Sequence, residues 1–328
     1  MRKVPSLKFN YRNFISNYKH QIGISFVTLA LWMTFLIGAP RSFLRPEIYL
    51  SFMITIPYLA VLSLPLTLVI VCGEIDLSFP SIMGFCGWLM AFVFVTTKNL
   101  ALALTISLLM GLFAGAVNGI LITRFGIPSL ITTIGTMFFW RGLTNVCSGG
   151  WGIQLIEAKG QILHQLLVGR VFGVIPAETF WTIGIAIILW LILNRHKIGG
   201  YIYYTGDNEE VAKMMGIDTR RIKILVFSIV GLCSAFSAIL INLETLYLYP
   251  TLGEGYMLPA LAAVFFGGTP PTGGVGTIFG SLVGSIAIGI LEAGIVAMGL
   301  TGFWTQLVCG LLIVIAIIFH SYIAKGGR

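Results

Sequence analysis

Apolar runs separated by short polar segments repeat along most of the chain. Ten of these runs carry few or no charged residues: 22–39, 48–72, 77–97, 100–123, 127–148, 179–194, 224–249, 256–266, 276–298 and 303–322. A helix that spans the hydrocarbon core of a bilayer needs about 20 apolar residues. The pattern therefore predicts an all-α integral membrane protein with about ten transmembrane helices.

Two features predict that some of these helices are broken or re-entrant. Pro57 and Pro65 interrupt the second run, and the eighth run, 256–266, has about half the length that a crossing needs. Interrupted helices are tolerated in a membrane only where protein or a watery cavity receives the freed backbone groups. The pattern favours a transport pathway over a simple anchor.

Two pairs of short segments resemble each other at nearly equal separations. Residues 73–84 resemble 253–264, and residues 126–133 resemble 299–306. An odd number of predicted crossings separates the members of each pair, so the halves are predicted to be inverted repeats with the substrate path at their interface. Residues 73–84 and 253–264 are then expected at opposite ends of that path. Chance similarity between glycine-rich membrane segments is the alternative.

Composition and charge agree with a membrane protein and predict its orientation. Hydrophobic residues make up 57% of the 328 residues and charged residues only 10%, against about 25% in an average soluble domain. Membrane proteins carry excess Lys and Arg on their cytoplasmic side, so the net charge of +8 does not indicate nucleic acid. Residues 1–20 and 324–328 are predicted to be cytoplasmic tails of a transmembrane domain over 21–323.

The stretch TGDNEEVAKMMGIDTRR, residues 205–221, is unusually polar for this chain. Asp207 or Asn208 suits a helix cap and Gly216 a left-handed stop, so a short helix is predicted over 207–216. Adaptable Met side chains suit a groove on another protein, and a cytoplasmic docking helix is therefore predicted. An inner loop held to anionic lipid is the alternative. The docking residues are predicted to be Asp207, Asn208, Val211, Met214, Met215, Gly216 and Ile217, with the apolar face formed by Val211, Met214, Met215 and Ile217.

Catalytic and metal chemistry is not predicted for this chain. The sequence has no G-x-x-x-x-G-K-[ST] phosphate loop, so ATP that drives transport would be hydrolysed by another chain. The histidines lie in predicted tails and loops, and the five cysteines lack metal-ligand spacing. We expect no enzyme activity and no cofactor bound by the chain itself.

A charged group at membrane depth costs about 2.5–3.5 kcal/mol of insertion free energy, so each is expected to have a structural or functional role. Asp76 is predicted to cap the helix that follows it, with a plain cytoplasmic turn as the alternative. Arg141 is predicted to pair with a carboxylate or bind backbone carbonyls, with a substrate contact as the alternative, and Asn118 to bridge helices or face the path. The candidate path residues are Glu74, Asp76, Ser78, Asn118, Arg141, Glu244, Glu254, Glu292 and Trp304.

Five segments of the chain resemble the permease subunits of bacterial ABC importers for simple sugars, the ribose, xylose and galactose type. They are GEIDLSFPSIMGFCGW, GIPSLITTIGTMFFWRGL, TGDNEEVAKMMGIDTRRIK, AAVFFGGTPPTGGVGTIFGSLVGSIAIGILEAGI and GFWTQLVCGLLIV. The resemblance covers roughly residues 20–322, with the motifs in the expected order and spacing. Permeases for branched-chain amino acids and nucleosides are close relatives of this group.

The resemblance implies a multi-pass protein of the bacterial inner membrane that carries a monosaccharide or related polyol inward by alternating access. It also implies partners: a cytoplasmic ATPase that binds ATP and Mg, a periplasmic or surface-tethered solute-binding protein, and a second permease copy or paralogue. The helix over 207–216 resembles the coupling helix that docks on the ATPase.

Two other functions stay open at this point. One is an ABC permease for a branched-chain amino acid or nucleoside, and the other is an ion-gradient-driven secondary transporter with intramembrane carboxylates as coupling sites. The chain also departs from the usual sugar motif, since Glu74 stands for Gly, Phe79 and Pro80 stand for Val and Gly, and Glu292 stands where Asn is frequent. These departures predict an altered solute preference.

Overall fold

Helices account for nearly all of the regular structure in a computed structural model, which describes the backbone of residues 11–326 and the side chains of residues 21–318. The elements are α1 (Tyr11–Gly38), α2 (Pro40–Phe43), α3 (Pro46–Val71), α4 (Phe79–Thr97), α5 (Leu100–Phe125), α6 (Ser129–Ser148), β1 (Ile153–Gln154), a 3-10 turn (Ile156–Ala158), α7 (Ile162–Val168), β2 (Arg170–Val171), β3 (Ile175–Pro176), α8 (Ala177–Arg195), α9 (Lys197–Asp207), α10 (Glu209–Met214), α11 (Thr219–Thr245), β4 (Tyr247–Leu248), α12 (Met257–Phe266), α13 (Ile278–Ala297) and α14 (Phe303–Gly326). The strands form two small antiparallel pairs, β1 with β4 and β2 with β3. The prediction of an all-α architecture is confirmed.

Both terminal helices extend further than the apolar pattern predicts. α1 begins at Tyr11, inside the tail predicted over 1–20, and α14 reaches Gly326, inside the tail predicted over 324–328. An established helix gains one hydrogen bond for each residue added, so polar residues without a proline prolong it easily. Residues 1–10 and 327–328 of these predicted tails lie outside the described part of the chain.

All ten predicted apolar runs are helical. Within the described residues, seven helices are long and apolar enough to cross a membrane, namely α1, α3, α4, α5, α8, α11 and α13. The other three runs correspond to α6, to α12 with its 10 residues, and to α14. The exact number of crossings and the inverted repeats stay predictions.

The central helix α3 continues unbroken through Pro57 and Pro65, so the prediction of a break in this run is wrong. Pro57 has no N–H to donate to the carbonyl of Met53, four residues earlier. The hydroxyl of Thr179 in α8 donates to that carbonyl instead, at 2.8 Å. A neighbouring helix therefore supplies the hydrogen bond that the proline removes.

Irregular segments lie between helices, at residues 72–78, 246–256 and 267–277. The second of these reaches the start of α4, because a Cβ added at Gly253 would collide with the carbonyl of Pro80. The two similar motifs around these residues are therefore neighbours. The prediction that they lie at opposite ends of one path is wrong.

The helices α5 and α11 pack with their backbones in contact. A Cβ added at Gly111, Gly115 or Gly231 would collide with the backbone of the facing helix. Small residues allow such close approach between membrane helices, where dispersion contacts rather than hydrophobic burial drive association. The contact between α5 and α11 fixes the position of α11, which is the helix that follows α10.

Candidate functional site

α3 ends, α10 lies and α11 begins at the same end of the bundle, which we call the α10 end. α10 itself is shorter than the predicted helix over 207–216. The side-chain oxygen of Asn208 accepts hydrogen bonds from the backbone N–H groups of Glu210 and Val211, at 3.0 and 3.1 Å. Asn208 is therefore the N-cap, and Asp207 is the last residue of α9.

Gly216 ends α10 with a left-handed turn, at φ +81°. The backbone N–H of Ile217 donates to the carbonyl of Ala212, and that of Gly216 to the carbonyl of Lys213, which is the Schellman arrangement. This turn places Ile217 underneath α10, where it is buried with Ala212. Ile217 does not lie on the exposed apolar face, contrary to prediction.

The other apolar residues of α10 face outwards. Val211 is 49% exposed, Met214 85% and Met215 60%. Large apolar side chains grouped on the outer face of one helix are characteristic of a contact surface for another protein. We call these three residues the α10 patch.

A chain of ion pairs lies beneath the α10 patch. The ammonium group of Lys223 in α11 lies 2.6 Å from Glu209 of α10 and 2.6 Å from Glu74 of the 72–78 segment. The side chains of Lys223 and Glu74 are only 10% and 12% exposed. Lys213 completes the group at 2.9 Å from Glu209. One buried lysine thus connects α10 to the segment between α3 and α4.

Glu209 is held in its charged form by this environment. Partial burial alone would raise the pKa of Glu209, but hydrogen bonds and charge from Lys223 and Lys213 outweigh burial and lower the pKa to about 2. The hydroxyl of Thr219 donates a further hydrogen bond to the carboxylate, at 3.1 Å. The ion pairs therefore persist at neutral pH.

Lys223 is absent from the predicted site residues. Its signal in the sequence is a single cation between Ile222 and Ile224, at the start of an apolar run. A buried Lys almost always has a partner, so the position predicts a carboxylate nearby. The identity of that carboxylate depends on tertiary contacts.

Backbone contacts bring the same elements together beside the ion pairs. The backbone N–H of Gly274 donates to the carbonyl of Val71 at 2.9 Å. A Cβ added at Gly206, near the end of α9, would collide with that same carbonyl, and one at Gly273 would meet Gly73. The ends of α3, α9 and the 267–277 segment therefore meet with no side chains between them.

Asp76, Ser78 and Asn118 form one buried polar group at the start of α4. Asp76 Oδ1 accepts from the backbone N–H of Ser78 at 2.7 Å and from its hydroxyl at 2.6 Å. The side-chain amide of Asn118 donates to the hydroxyl oxygen of Ser78 at 2.7 Å. Asp76 thus binds Ser78, the N-cap residue of α4, and does not itself cap the helix, while Asn118 bridges α5 to the same serine.

Arg141 in α6 binds backbone carbonyls, one of the two structural roles predicted for it. It donates to Leu252 at 3.0 Å and Pro250 at 3.2 Å, and more weakly to Pro80 at 3.5 Å. The carboxylate of Glu254 lies 3.7 Å away. Arg141 therefore holds the 246–256 segment against the start of α4, which explains why the two similar motifs are neighbours.

Glu244 lies at the opposite end of the bundle, far along α11 from Lys223. It pairs with Arg170 at 2.5 Å, and Arg170 also lies 3.8 Å from the fully buried Glu178. Burial alone would lower the pKa of Arg170, but its bond to Glu244 and the nearby carboxylates raise it. Arg170 and Glu178 are further residues that the sequence reading missed. The three residues tie the 149–176 connection to α8 and α11.

Glu292 in α13 lines two adjacent cavities, of about 210 and 540 Å³. Tyr256 and Pro259 also line the smaller cavity, while Arg41 and Arg45 line the larger one, near the start of α3. Trp304 is about half exposed near the start of α14 and does not line either cavity. The predicted path residues therefore form separate groups, and they do not converge on one site.

The described side chains do not form a cluster of metal ligands. Among them, no three His, Cys, Asp or Glu residues lie close enough together to hold a metal ion. The arrangement instead provides an exposed helix, a mostly buried lysine that pairs with two carboxylates, and a cavity lined by a carboxylate.

Comparison with known proteins identifies the family. A family model described as the permease component of branched-chain amino acid transport systems matches residues 48–317. No solved structure matches the chain.

Individual relatives match over most of their length. The ribose import permease protein of Escherichia coli strain K12 is 31% identical over 80% of this chain and 82% of its own. The ribose import permease protein of Bacillus subtilis strain 168 is 33% identical over 84% and 85%. The autoinducer 2 import system permease protein of Photorhabdus luminescens is 30% identical over 80% and 78%. This chain belongs to the family of permease components of branched-chain amino acid transport systems.

Proposed function

We propose that this chain is the membrane-spanning permease subunit of an ATP-driven ABC importer that carries a monosaccharide or related polyol inward by alternating access. The observation that carries the proposal is the α10 patch, an exposed apolar surface connected by ion pairs of the mostly buried Lys223 to the interior of a transport permease. The relatives named for ribose and autoinducer 2 support a polyol-like solute over a branched-chain amino acid or nucleoside.

In this proposal α10 is the coupling helix, and its partner is a cytoplasmic ATPase domain that binds ATP and Mg. The chain has no phosphate loop of its own, and its family works in multi-component transport systems. Asn208 and Gly216 define the helix ends, Asp207 joins it to α9, and Ile217 anchors it from below. The α10 patch supplies the apolar contact.

The α10 end then faces the cytoplasm, and both terminal tails lie on that side of the bacterial inner membrane. Arg220 and Arg221 are exposed at this end, as the excess of positive charge on cytoplasmic segments leads one to expect. The proposed domains are cytoplasmic tails at 1–20 and 324–328 and a transmembrane domain over 21–323.

The solute path is proposed to begin at the cavity beside Glu292, on the side opposite α10. Its carboxylate, together with the hydroxyl of Tyr256, offers the hydrogen-bonding groups that sugar hydroxyls need. A solute-binding protein delivers the solute there, and a second permease copy or paralogue completes the pore. Glu74, Asp76, Ser78, Asn118, Arg141, Glu244, Glu254 and Trp304 are proposed to shape or gate the path, chiefly through the contacts described above.

Reconstitution tests this function. The purified permease, ATPase and binding protein in proteoliposomes should take up a labelled pentose or hexose only with ATP, while leucine and adenosine stay outside. Replacing both Met214 and Met215 with Asp puts charge into the proposed apolar contact, so ATPase co-purification and uptake should be lost. Val174→Asp, an equally exposed apolar position at the opposite end, is the matched control and should keep both.

Two results would contradict the proposal. Uptake by the permease alone under a proton or sodium gradient, without ATPase, would make it a secondary transporter. Normal co-purification and uptake by the double Asp variant would remove α10 from ATPase docking.

A further inference from the structure

Lys223 is the one residue that contacts carboxylates from two different elements at the α10 end of the described chain. Glu209 belongs to α10, whereas Glu74 follows α3. Removing one partner of a buried ion pair leaves an uncompensated charge, so such pairs resist separation more strongly than surface pairs. α10 and the 72–78 segment are therefore difficult to move apart.

We propose that Lys223 is a positioning residue that transmits movement of α10 to the 72–78 segment and so couples ATP hydrolysis to opening of the path. This inference rests on the proposed function, in which the ATPase moves α10. The connection runs from Glu209 through the Lys223 ammonium group to Glu74, with both ion pairs at 2.6 Å. α10, the start of α11 and residues 72–78 then move as one body.

Displacement of Glu74 reaches the next helices through hydrogen bonds of the adjacent Ile75. The backbone N–H of Ile75 donates to the hydroxyl of Ser129 at 3.1 Å, and the hydroxyl of Thr133 donates to the carbonyl of Ile75 at 3.3 Å. Both hydroxyls belong to the start of α6. The neighbouring Asp76 binds Ser78, the N-cap residue of α4. Movement at Glu74 is thus passed to the starts of α4 and α6.

Those two helix starts adjoin the 246–256 segment. Arg141 in α6 binds the carbonyls of Leu252 and Pro250, and Gly253 packs on Pro80 of α4. That segment leads into α12, whose preceding residue Tyr256 lines the smaller cavity. A continuous series of contacts therefore connects α10 to the cavity.

The backbone junction beside Lys223 makes the connection stiff. Gly206 touches the carbonyl of Val71 without a side chain between them, and Gly274 donates to the same carbonyl. Interiors packed this closely transmit displacement instead of absorbing it. The ion pairs supply the link across the junction, because they bind α10 itself to the 72–78 segment.

The test measures the number of solute molecules transported per ATP in the reconstituted complex. Lys223→Met keeps an unbranched side chain but removes the charge. We expect the complex to assemble and hydrolyse ATP while the solute-to-ATP ratio falls by at least about 5-fold, as for a lost coupling between two sites. Arg221→Met removes an exposed cation at the same end that pairs with Asp218 outside α10, so this matched control should keep the wild-type ratio.

Charge reversal provides a second test that does not depend on Lys223→Met folding well. Glu74→Lys with Glu209→Lys adds two cations beside Lys223 and Lys213 and should uncouple the complex. Adding Lys223→Glu to these two changes restores both ion pairs of residue 223 with opposite polarity. The solute-to-ATP ratio should recover in the triple variant, because ion pairs again join α10 to the 72–78 segment.

The outcomes separate this inference from the function on which it rests. A wild-type complex that shows no ATP-dependent uptake refutes the proposed function. A coupled wild type together with an unchanged ratio in Lys223→Met refutes only the role of Lys223. If Lys223→Met fails to assemble, a triple variant no better than the double variant also refutes that role.

Discussion

At the scale of single residues, buried charged and polar side chains of this permease hold segments together. Arg141 binds three backbone carbonyls, Asn118 bridges α5 to Ser78, and Lys223 binds two carboxylates. Each of these groups is costly at membrane depth without partners, and each has them. Their positions are therefore explained by structural connections near the irregular segments, where helices alone cannot satisfy the backbone.

The role of Asp76 can be tested by separating its hydrogen bonding from its charge. Asp76→Asn retains an oxygen that can accept from Ser78, so it should keep most of the uptake. Asp76→Leu removes the acceptor, should destabilise the start of α4 by about 0.5–2 kcal/mol and should lose uptake. Transport in proteoliposomes, with membrane-inserted protein quantified as a control, measures both. Loss of uptake in both variants would show that the charge itself is required.

At the scale of elements, close helix contacts determine where the functional segments lie. α5 and α11 touch through glycines, and α11 in turn carries Lys223 at its start. The short helix α10 is defined by its own cap and stop, but its orientation comes from the buried Ile217 and from Glu209. Local sequence thus forms α10, and packing directs its apolar patch outwards.

The α5–α11 contact predicts a contrast between two identical substitutions. Gly115→Ala would drive a Cβ into the backbone around Phe227 and should destabilise the protein by about 1–3 kcal/mol. Gly142→Ala in α6 has no neighbouring atom within 4 Å and should instead stabilise its helix by about 0.5–1 kcal/mol. Thermal unfolding in detergent measures both. Equal unfolding temperatures for the two variants would contradict the backbone contact.

At the scale of the whole molecule, the two ends of the bundle differ in chemistry. The α10 end has the exposed α10 patch, Arg220 and Arg221, whereas the opposite end has the two cavities beside Glu292 and the Arg170 group. This division suits a protein that meets an ATPase on one side and receives solute on the other.

Labelling with a membrane-impermeant thiol reagent tests the orientation in intact cells. The native Cys147 is exposed, so Cys147→Ser is the background for single cysteines. Lys159→Cys, in the 149–176 connection, should be labelled from outside, whereas Arg220→Cys, exposed at the α10 end but outside the α10 patch, should be labelled only after the cells are opened. Cysteines at Ser6 and Lys325, whose side chains lie outside the described part, should behave like Arg220→Cys. Labelling of Arg220→Cys in intact cells would reverse the orientation and contradict the coupling role.

The sequence by itself determined the features that depend on local signals. Runs of apolar residues located ten of the fourteen α-helices in the described part of the chain, a cap at Asp207 or Asn208 and the Gly216 stop indicated the short helix α10, and the motifs indicated the permease family. These signals are readable because helix periodicity, caps and glycine turns act over a few neighbouring residues.

Only the tertiary structure decided which distant groups meet. Lys223 pairs with Glu74, and Arg141 brings the two similar motifs together. Thr179 donates the hydrogen bond that Pro57 cannot make. None of these contacts joins residues close in sequence, so no local pattern specifies the partner. The burial of Ile217 likewise depends on what lies beneath α10. The helices follow from the chain's local chemistry, whereas the connections between them follow from packing, where a buried charge or carbonyl binds whatever partner the fold places within reach.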